Sequence, residues 1–282
     1  MLKTVTKVCE ARKIINEWKK EGFTVGFVPT MGYLHEGHMS LVKKAREQND
    51  KVVVSIFVNP MQFSPNEDLD KYPRDLEADT KLCEENGVDL IIHPQPAEMY
   101  PDGFCSFVDM TGPTKELCGK SRPIHFRGVC TVVNKLFNIA QPDRAYFGQK
   151  DAQQLSIIKR MVKDLNMPIE IIGCPIIREK DGLAKSSRNK YLNEEERRAA
   201  LILSKTILMG KQLVENGERN AKVLCDAMRK NIETEPLAKI DYAEAVDFDT
   251  IEKIDTLKGT VLVAIAVYIG STRLIDNFIV TV

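Results

Sequence analysis

Apolar residues follow two alternating patterns along the first 177 residues of the chain: spacing at helical intervals, and short continuous runs. The continuous runs predict strands over residues 25–29, 52–58, 88–92, 144–147 and 169–177. The helical spacing between them predicts helices over residues 6–20, 39–48, 75–86, 128–140 and 151–166. Because the run at 52–58 is nearly all apolar, we expect that strand to be covered on both faces.

Alternation of strands and helices predicts right-handed crossovers and a parallel sheet with helices on both faces. The fold class is therefore predicted as α/β, with a Rossmann-like, doubly wound parallel sheet. Ligands of such sheets bind beyond the carboxyl ends of the strands. Functional side chains are expected directly after strands.

The pattern changes after a loop at residues 179–193. Asn193 is a plausible N-cap for a long helix that runs to about Glu215. A helix at 220–232 follows, and then β-rich runs at 242–246, 261–267 and 274–282. These elements predict a smaller α+β domain at residues 177–282, after a catalytic domain at residues 1–176.

Composition narrows the class of protein. Of the 282 residues, 40 are Lys or Arg and 40 are Asp or Glu, and this balance disfavours a nucleic-acid partner. The chain has neither a run of 18 apolar residues nor a signal-peptide core at its start, so we expect no membrane partner and a cytoplasmic protein. Its seven cysteines contain no Cys-x-x-Cys pair, which indicates reduced thiols.

Two of the four histidines, His35 and His38, lie three residues apart where the strand at 25–29 leads into a helix. The start of a helix favours anions, and Gly37 allows close backbone approach to a ligand. Beside a triphosphate the protonated imidazoles would be favoured and could stabilise charge on departing pyrophosphate. Ordinary helix-start histidines, or a zinc pair without an obvious third ligand, stay open as alternatives.

Three further segments place polar side chains after strands. Each also has a plainer interpretation: turn chemistry for the Asn-Pro segment that contains Asn59, a surface lysine for Lys150, and a solvated linker loop for residues 185–188. Uncharged donors suit hydroxyl or carboxylate groups, and a loop with cations and hydroxyls suits phosphates. The side chains are Asn59 and Gln62, then Lys150 with the nearby Gln154, then Lys185, Ser186, Ser187 and Arg188.

The order of these motifs resembles the nucleotidylyl-transfer superfamily, whose members attack the α-phosphate of ATP. The resemblance becomes specific to the pantothenate synthetase family, the pantoate–β-alanine ligases, over residues 25–192. It rests on PTMGYLHEGH at 29–38, FVNPMQF at 57–63, YPR at 72–74, HFRGV at 125–129, FGQKDAQQL at 147–155 and DGLAKSSRN at 181–189.

The resemblance implies a role for each matching residue. His38, His35, Lys150 and Arg188 would be catalytic, with His38 as the proton donor. Gln62 and Gln154 would bind pantoate, Asn59 and Gln62 would bind β-alanine, and Asp79 would be a Mg²⁺ residue. The ATP site would comprise Met31, Gly32, His35, Gly37, His38, Gly148, Gln149, Lys150, Asp151, Ile177, Lys185, Ser186, Ser187 and Arg188. Many relatives carry Met at the Lys185 position and some carry Glu at the Gln149 position.

The resemblance also implies the reaction and its partners. Pantoate would be activated by ATP as an acyl adenylate and then joined to β-alanine, giving pantothenate, AMP and diphosphate. Mg²⁺ would accompany ATP, the smaller domain would close its loop over the site, and the protein would be a homodimer. A nucleotidylyltransferase acting on a phosphorylated small molecule, and a nucleotide-binding regulatory protein, are the alternatives.

Overall fold

The computed structural model describes residues 1–65 and 67–282, which group into two compact units. The first unit comprises residues 1–110, 124–149 and 158–175. The second unit comprises residues 111–123, 150–157 and 176–282. Each unit thus collects three separate stretches of chain. The predicted contiguous domains 1–176 and 177–282 stay a prediction, and the longest stretch of the second unit begins at Ile176.

Strands and helices alternate as the apolar pattern predicts. The strands are β1 (Lys3–Val5), β2 (Val25–Thr30), β3 (Lys51–Ile56), β4 (Leu90–Ile92), β5 (Arg144–Gly148), β6 (Glu170–Cys174), β7 (Ala238–Asp247), β8 (Thr260–Ile269) and β9 (Thr272–Thr281). The helices are α1 (Val8–Lys20), α2 (Glu36–Gln48), α3 (Leu76–Glu85), α4 (Pro96–Met99), α5 (Cys118–Ser121), α6 (His125–Ala140), α7 (Ala152–Asp164), α8 (Glu194–Ala199), α9 (Leu201–Glu215) and α10 (Ala221–Ile232). Short 3₁₀ helices occupy Pro60–Gln62, Gln149–Asp151 and Ser187–Tyr191.

The first unit is built on a parallel six-stranded sheet in the order β1-β4-β3-β2-β5-β6. Successive side chains of a strand point to opposite faces of the sheet. Val28 of β2 belongs to a buried cluster with Val42 of α2 and Cys83 of α3. On the other face, the ring of Phe27 meets the ring of Phe137 of α6 edge-on, with 6.3 Å between centroids. The predicted doubly wound α/β fold is confirmed.

The strand order reverses direction beside β2, where ligands of such sheets bind. From β2 the chain builds outward through β3 and β4, and later returns to add β5 and β6 on the other side. The register of β2 with β3 continues to Thr30, whereas its register with β5 covers Gly26 and Phe27. The pairing of β2 with β5 thus ends three residues before the pairing of β2 with β3. The carboxyl end of β2, beside this reversal, is therefore the expected ligand position of the first unit.

The second unit contains an antiparallel three-stranded sheet, β7-β8-β9, with α9 and α10 packed on it. Leu203 and Met228 lie with Val263 in one buried cluster. The predicted long helix from residue 194 is instead two helices that meet at Ala200, where the amide of Leu203 bonds the Ala200 carbonyl in a tight turn. The smaller α+β architecture is confirmed. Within the described part of the chain, no helix combines the length and apolar character needed to cross a membrane.

Candidate active site

The loop between β2 and α2 is a tight turn held by two buried side chains. Gly32 and Tyr33 have left-handed backbone angles, with φ of 84° and 51°. The Thr30 hydroxyl accepts from the Gly32 amide at 3.1 Å and donates to the Ser55 carbonyl at 2.7 Å. The Asp79 carboxylate accepts from the amide of Tyr33 at 2.8 Å. The turn directs the chain from the end of the strand into the start of α2.

His35 and His38 cap α2 with their own rings. His35 is the N-cap residue, and its Nδ1 accepts from the Gly37 amide at 3.1 Å. His38 lies one turn on, and its Nδ1 accepts from the His35 amide at 3.3 Å. The two ring centroids are 4.1 Å apart, with the planes tilted by 35°. The capping brings both imidazoles to one point at the start of the helix.

This pattern assigns the tautomer of each imidazole. A nitrogen that accepts from an amide carries no hydrogen, so the neutral ring carries its hydrogen on Nε2. Protonating Nδ1 of either His35 or His38 would exchange a hydrogen bond for a clash of two N–H groups. A nearby triphosphate is expected to favour the protonated rings. Protonation at Nδ1 would, however, break the hydrogen bond that each ring accepts from a backbone amide. The arrangement suits two neutral Nε2–H donors.

Asp79 lies on α3, and 2% of its surface is exposed. Its two oxygens accept from consecutive amides, those of Tyr33 and Leu34, at 2.8 and 2.6 Å. Burial raises the pKa of Asp79 above its usual value, although the two amides act in the opposite direction. Among residues 1–65 and 67–282, no group of three or more His, Cys, Asp or Glu side chains is arranged to hold a metal. These contacts fit poorly with the predicted Mg²⁺ role.

Asn59 and Gln62 follow β3 and form a buried amide pair. Asn59 is the N-cap of the 3₁₀ helix Pro60–Gln62, and its Nδ2 donates to the Gln62 Oε1 at 3.1 Å. The Asn59 Oδ1 accepts from the hydroxyl of Tyr100 at 2.7 Å. The Gln62 Nε2 meets the Met31 sulfur at 3.1 Å. The structure thereby brings the predicted segments at 29–38 and 57–63 together in the first unit.

Helix α6 supports that pair from one side. The Asn59 Nδ2 also donates to the carbonyl of Gly128 at 3.1 Å, and Nδ1 of His125 lies 3.0 Å from the Gln62 carbonyl. A Cβ atom at Gly128 would stand 2.3 Å from the Met61 carbonyl oxygen. Glycine therefore allows α6 to approach the backbone of the 3₁₀ helix.

The end of β5 carries the remaining predicted residues of the first unit. Gly148 pairs with Cys174 of β6, and Gln149 begins the following 3₁₀ helix. Gly148 ends a strand that flanks the point where the strand order reverses. This is the position expected for a ligand contact in a doubly wound sheet.

In the second unit, Lys150 begins the stretch at 150–157. Its ammonium lies 3.3 Å from the Asp151 carboxylate, and its carbonyl accepts from the side chain of Asn277 at 2.9 Å. Gln153 accepts from the Cys118 amide and donates to two backbone carbonyls, at 2.8 to 3.0 Å. Gln153 therefore has a structural role, and the half-buried Gln154 is the glutamine available for ligand binding.

The predicted phosphate loop closes a short hairpin in the second unit. Ile177 pairs with Lys185, whose amide donates to the Ile177 carbonyl at 2.9 Å. The Lys185 ammonium lies 3.5 Å from Glu179. The Ser186 hydroxyl accepts from the Arg188 amide at 3.2 Å, and Ser187 begins a 3₁₀ helix. Ile177 and the segment 185–188 are thus brought together.

An ion pair at the base of this hairpin, in which the carboxylate is buried, was missed by sequence reasoning. Arg178 makes two bonds to Asp276 of β9, at 2.7 and 2.9 Å, and a third to the Gly182 carbonyl at 3.0 Å. Asp276 is 1% exposed. The signal was present in the sequence, because Asp276 and Asn277 interrupt the apolar residues from Leu274 to Val280.

Comparison with known proteins identifies similar chains. The model of the family described as pantoate-beta-alanine ligase matches residues 3–279. A pantothenate synthetase of Ruminiclostridium cellulolyticum is 67% identical over 277 residues, which is 98% of each chain. A pantothenate synthetase structure from Thermus thermophilus has a TM-score of 0.93 and 44% identity over 98% of each chain. A pantoate-beta-alanine ligase from Francisella tularensis, complexed with beta-gamma ATP and beta-alanine, has a TM-score of 0.80 and 37% identity, covering 99% of this chain and 97% of that one.

Proposed function

The chain belongs to the pantoate–β-alanine ligase family, whose reaction is the ATP-dependent condensation of pantoate with β-alanine, and we propose how its own residues perform that reaction. The protein is an enzyme of pantothenate biosynthesis. The observation that carries the residue assignment is the His35–His38 cap on α2, directly after β2. The Francisella tularensis relative supports ATP as a substrate, because its structure is a complex with an ATP compound and β-alanine.

In the first step a pantoate carboxylate oxygen attacks the α-phosphorus of ATP. A new oxygen–phosphorus bond forms, and the bond to the β-phosphate breaks, so that pyrophosphate leaves with the electron pair. His35 and His38 donate from Nε2 to phosphate oxygens as charge builds up. Donors that are fixed before the reaction stabilise such charge most effectively. The capping bonds to the backbone support this assignment, because they hold both rings in place.

Pantoate and β-alanine are assigned to the amide pair Asn59–Gln62. Gln62 binds the hydroxyl or carboxylate groups of pantoate, and Asn59 lies on the path of β-alanine. The bonds from Asn59 to Gln62 and from Tyr100 to Asn59 support this assignment, because they fix the direction of each amide. The family resemblance also assigns Gln154 of the second unit to pantoate. Amides suit this purpose, since each offers a donor and an acceptor.

The contacts to the nucleotide from the second unit are carried over from the family resemblance. Lys150 would contact the phosphates and polarise the pantoate carboxyl group. Ser186, Ser187 and Arg188 would bind phosphate oxygens, and Lys185 would add a positive charge. The Ser186 cap on the 3₁₀ helix supports this role, because it fixes the amide of Arg188.

In the second step the β-alanine amine attacks the acyl carbon of pantoyl adenylate. A carbon–nitrogen bond forms, the bond from carbon to the phosphate oxygen breaks, and AMP leaves while the amine loses a proton. Adenylation makes this step possible, because AMP is a far better leaving group than oxide. Binding both reactants in one site makes the step effectively unimolecular.

Magnesium enters this scheme as part of the substrate MgATP. Phosphate oxygens and water hold Mg²⁺ readily, and proteins often add one or two carboxylates. Asp79 was the carboxylate expected from the resemblance, but its two oxygens already accept backbone amides. No catalytic step is assigned to that residue as a metal ligand.

Location and assembly are further proposals. All seven cysteines lie within the described residues and are free thiols, which favours a reducing compartment such as the cytoplasm. The homodimer rests on the family resemblance. Light scattering that gives twice 31.9 kDa would support the dimer, and a single 31.9 kDa species would contradict it.

The function is tested by pyrophosphate release from MgATP with pantoate and β-alanine, added separately and together. Sustained release with formation of AMP and pantothenate is expected only with both acids present. Pantoate-dependent exchange of pyrophosphate into ATP without β-alanine would detect the adenylate. If neither acid promotes release or exchange, the substrate assignment fails.

A further inference from the structure

We propose that Asp79 is a positioning residue for the histidine loop of residues 30–38, and that it does not bind magnesium. This inference rests on the proposed function of that loop. Asp79 is far from the loop in sequence and approaches it from helix α3. Its effect on catalysis would pass through the backbone of the loop to the two imidazoles.

The amides of Tyr33 and Leu34 form an anion-binding site, and the Asp79 carboxylate occupies it. Consecutive amides at Tyr33 and Leu34 converge on one carboxylate, each on a different oxygen. Successive amides in a tight turn form a concave site for an anion. The left-handed angles of Gly32 and Tyr33 create this turn. Tyr33 is the more demanding of the two, because a side chain disfavours that conformation.

The loop has little freedom around this carboxylate. A Cβ atom at Gly32 would stand 3.0 Å from the Asp79 Oδ2 and 3.0 Å from Ile56 of β3. The Thr30 hydroxyl fixes the Gly32 amide from the other side. Two side chains, Thr30 and Asp79, therefore hold three successive amides of the loop.

The fixed turn connects directly to the imidazoles. Leu34 precedes His35, whose amide donates to Nδ1 of His38. His35 in turn accepts from Gly37 and begins α2. If the Tyr33 and Leu34 amides lost their acceptor, the His35 amide would shift with them. Both rings would then lose the arrangement that sets their tautomers and their direction.

The surroundings of Asp79 do not resemble a magnesium site. Magnesium requires near-ideal octahedral geometry and retains several waters, which an almost fully buried carboxylate cannot accommodate. Each oxygen of the buried carboxylate already accepts one backbone amide, that of Tyr33 or that of Leu34. Asp75, the acidic residue whose charge acts on Asp79, instead caps α3 through the Ala78 amide.

Three variants separate positioning from metal binding. Asp79→Asn preserves shape but replaces one acceptor with an N–H group, so one amide loses its bond. Asp75→Asn is the matched control, because it makes the same chemical change on the same helix, and asparagine is an equally good N-cap. Thr30→Val disturbs the same loop through Gly32 without altering any carboxylate, and tests the proposal even if Asp79→Asn fails to fold.

The first readout is pantoate-dependent ATP–pyrophosphate exchange, with ATP and free Mg²⁺ varied independently. Displacement of a catalytic group by about 1 Å can reduce the rate about 10²-fold. We expect kcat/KM for ATP to fall by about that factor in Asp79→Asn and by about tenfold in Thr30→Val. The Mg²⁺ concentration for half-maximal rate should stay unchanged, and Asp75→Asn should match the wild type.

The second readout is the ¹⁵N NMR spectrum of the histidine rings in the ligand-free protein. His35 and His38 should show the Nε2–H tautomer in the wild type and mixed tautomers in Asp79→Asn and Thr30→Val. A many-fold rise in the Mg²⁺ requirement of Asp79→Asn with unchanged tautomers would make Asp79 a metal ligand and overturn the proposal. Wild-type kinetics and tautomers in Asp79→Asn and Thr30→Val would also overturn it.

Failure of the proposed function is a separate result. In that case the wild-type protein itself would show no pantoate-dependent exchange. The NMR comparison would still report whether Asp79 and Thr30 fix the histidine loop.

Discussion

Gly128→Ala tests whether the amide pair after β3 binds the acids rather than ATP. Gly128 lies on α6, where its carbonyl accepts from Asn59. A Cβ at this position would lie 2.3 Å from the Met61 carbonyl oxygen, 2.5 Å from its carbonyl carbon and 2.7 Å from the Cα of Gln62. All three atoms belong to backbone, so no side-chain rotation can relieve the contact.

The required displacement follows from these distances. Contacts of a real Cβ below 3.0 Å are essentially never seen, so the 2.3 Å contact must open by at least the difference, roughly 0.7 Å. The shift would be shared between α6 and the 3₁₀ helix Pro60–Gln62, and would move Asn59 and Gln62. A displacement near 1 Å can reduce the rate about 10²-fold. We therefore expect kcat/KM for pantoate and for β-alanine to fall about 10- to 10²-fold.

The assay varies one substrate at a time in steady-state pyrophosphate release. KM for ATP should change much less than KM for pantoate, because the His35–His38 cap is held by its own bonds. Asn138→Ala, an exposed change on the same helix, is the matched control. Unchanged kinetics for both acids in a folded Gly128→Ala protein would refute the reasoning, and so would equal losses for all three substrates.

Three other changes probe the remaining elements of the site. His38→Ala and Lys150→Ala should each reduce turnover about 10²–10³-fold, the scale for losing a transition-state donor. Near-normal rates in both variants would contradict the assignment of His38 and Lys150 as catalytic residues. Arg178→Met leaves the buried Asp276 carboxylate unpaired and should destabilise the protein by about 3–5 kcal/mol, and Asp276→Asn by less. Urea unfolding measures the free energy of unfolding of both variants. Equal losses in the two variants would contradict the expectation that removal of the arginine costs more. Burial raises the pKa of Asp79 above 3.8, so the folded protein binds its proton more tightly than the unfolded chain. The free energy of unfolding of the wild type, relative to that of Asp79→Asn, should therefore fall as pH rises from below 3.8 through the folded-state pKa. A rise over the same pH range would contradict the raised pKa of Asp79.

The sequence was sufficient for the α/β alternation, because buried parallel strands have a distinctive apolar pattern. It placed β2 through β6 within a few residues and located the histidine motif after β2. β1 was missed, since its three residues are too short to show a period. The strand order was not predicted, because alternation alone leaves open which strand lies beside β2. The reversal of strand order beside β2, where ligands are expected, depends on that order.

Within the site, the sequence indicated residue types but not their hydrogen bonds. Nothing in the spacing of His35 and His38 shows that both Nδ1 atoms accept backbone amides. Asp79 was assigned to magnesium by resemblance, although its contacts are with a loop more than forty residues away. Such bonds depend on the packing of α3 against α2, which a linear pattern does not record. Side-chain roles were therefore less predictable than side-chain positions.

The division of each unit into three stretches of chain has a consequence for folding during synthesis. The Cys118 thiol and the Ser121 hydroxyl of α5 bond to Tyr242 and Asp241 of β7, more than a hundred residues later. On the ribosome, α5 emerges long before its partners exist. The second unit can therefore mature only after the C-terminal strands are made, whereas the first unit is fully synthesised by residue 175. Expression of residues 177–282 alone would leave β7 without α5, so this sheet should be studied in the intact chain.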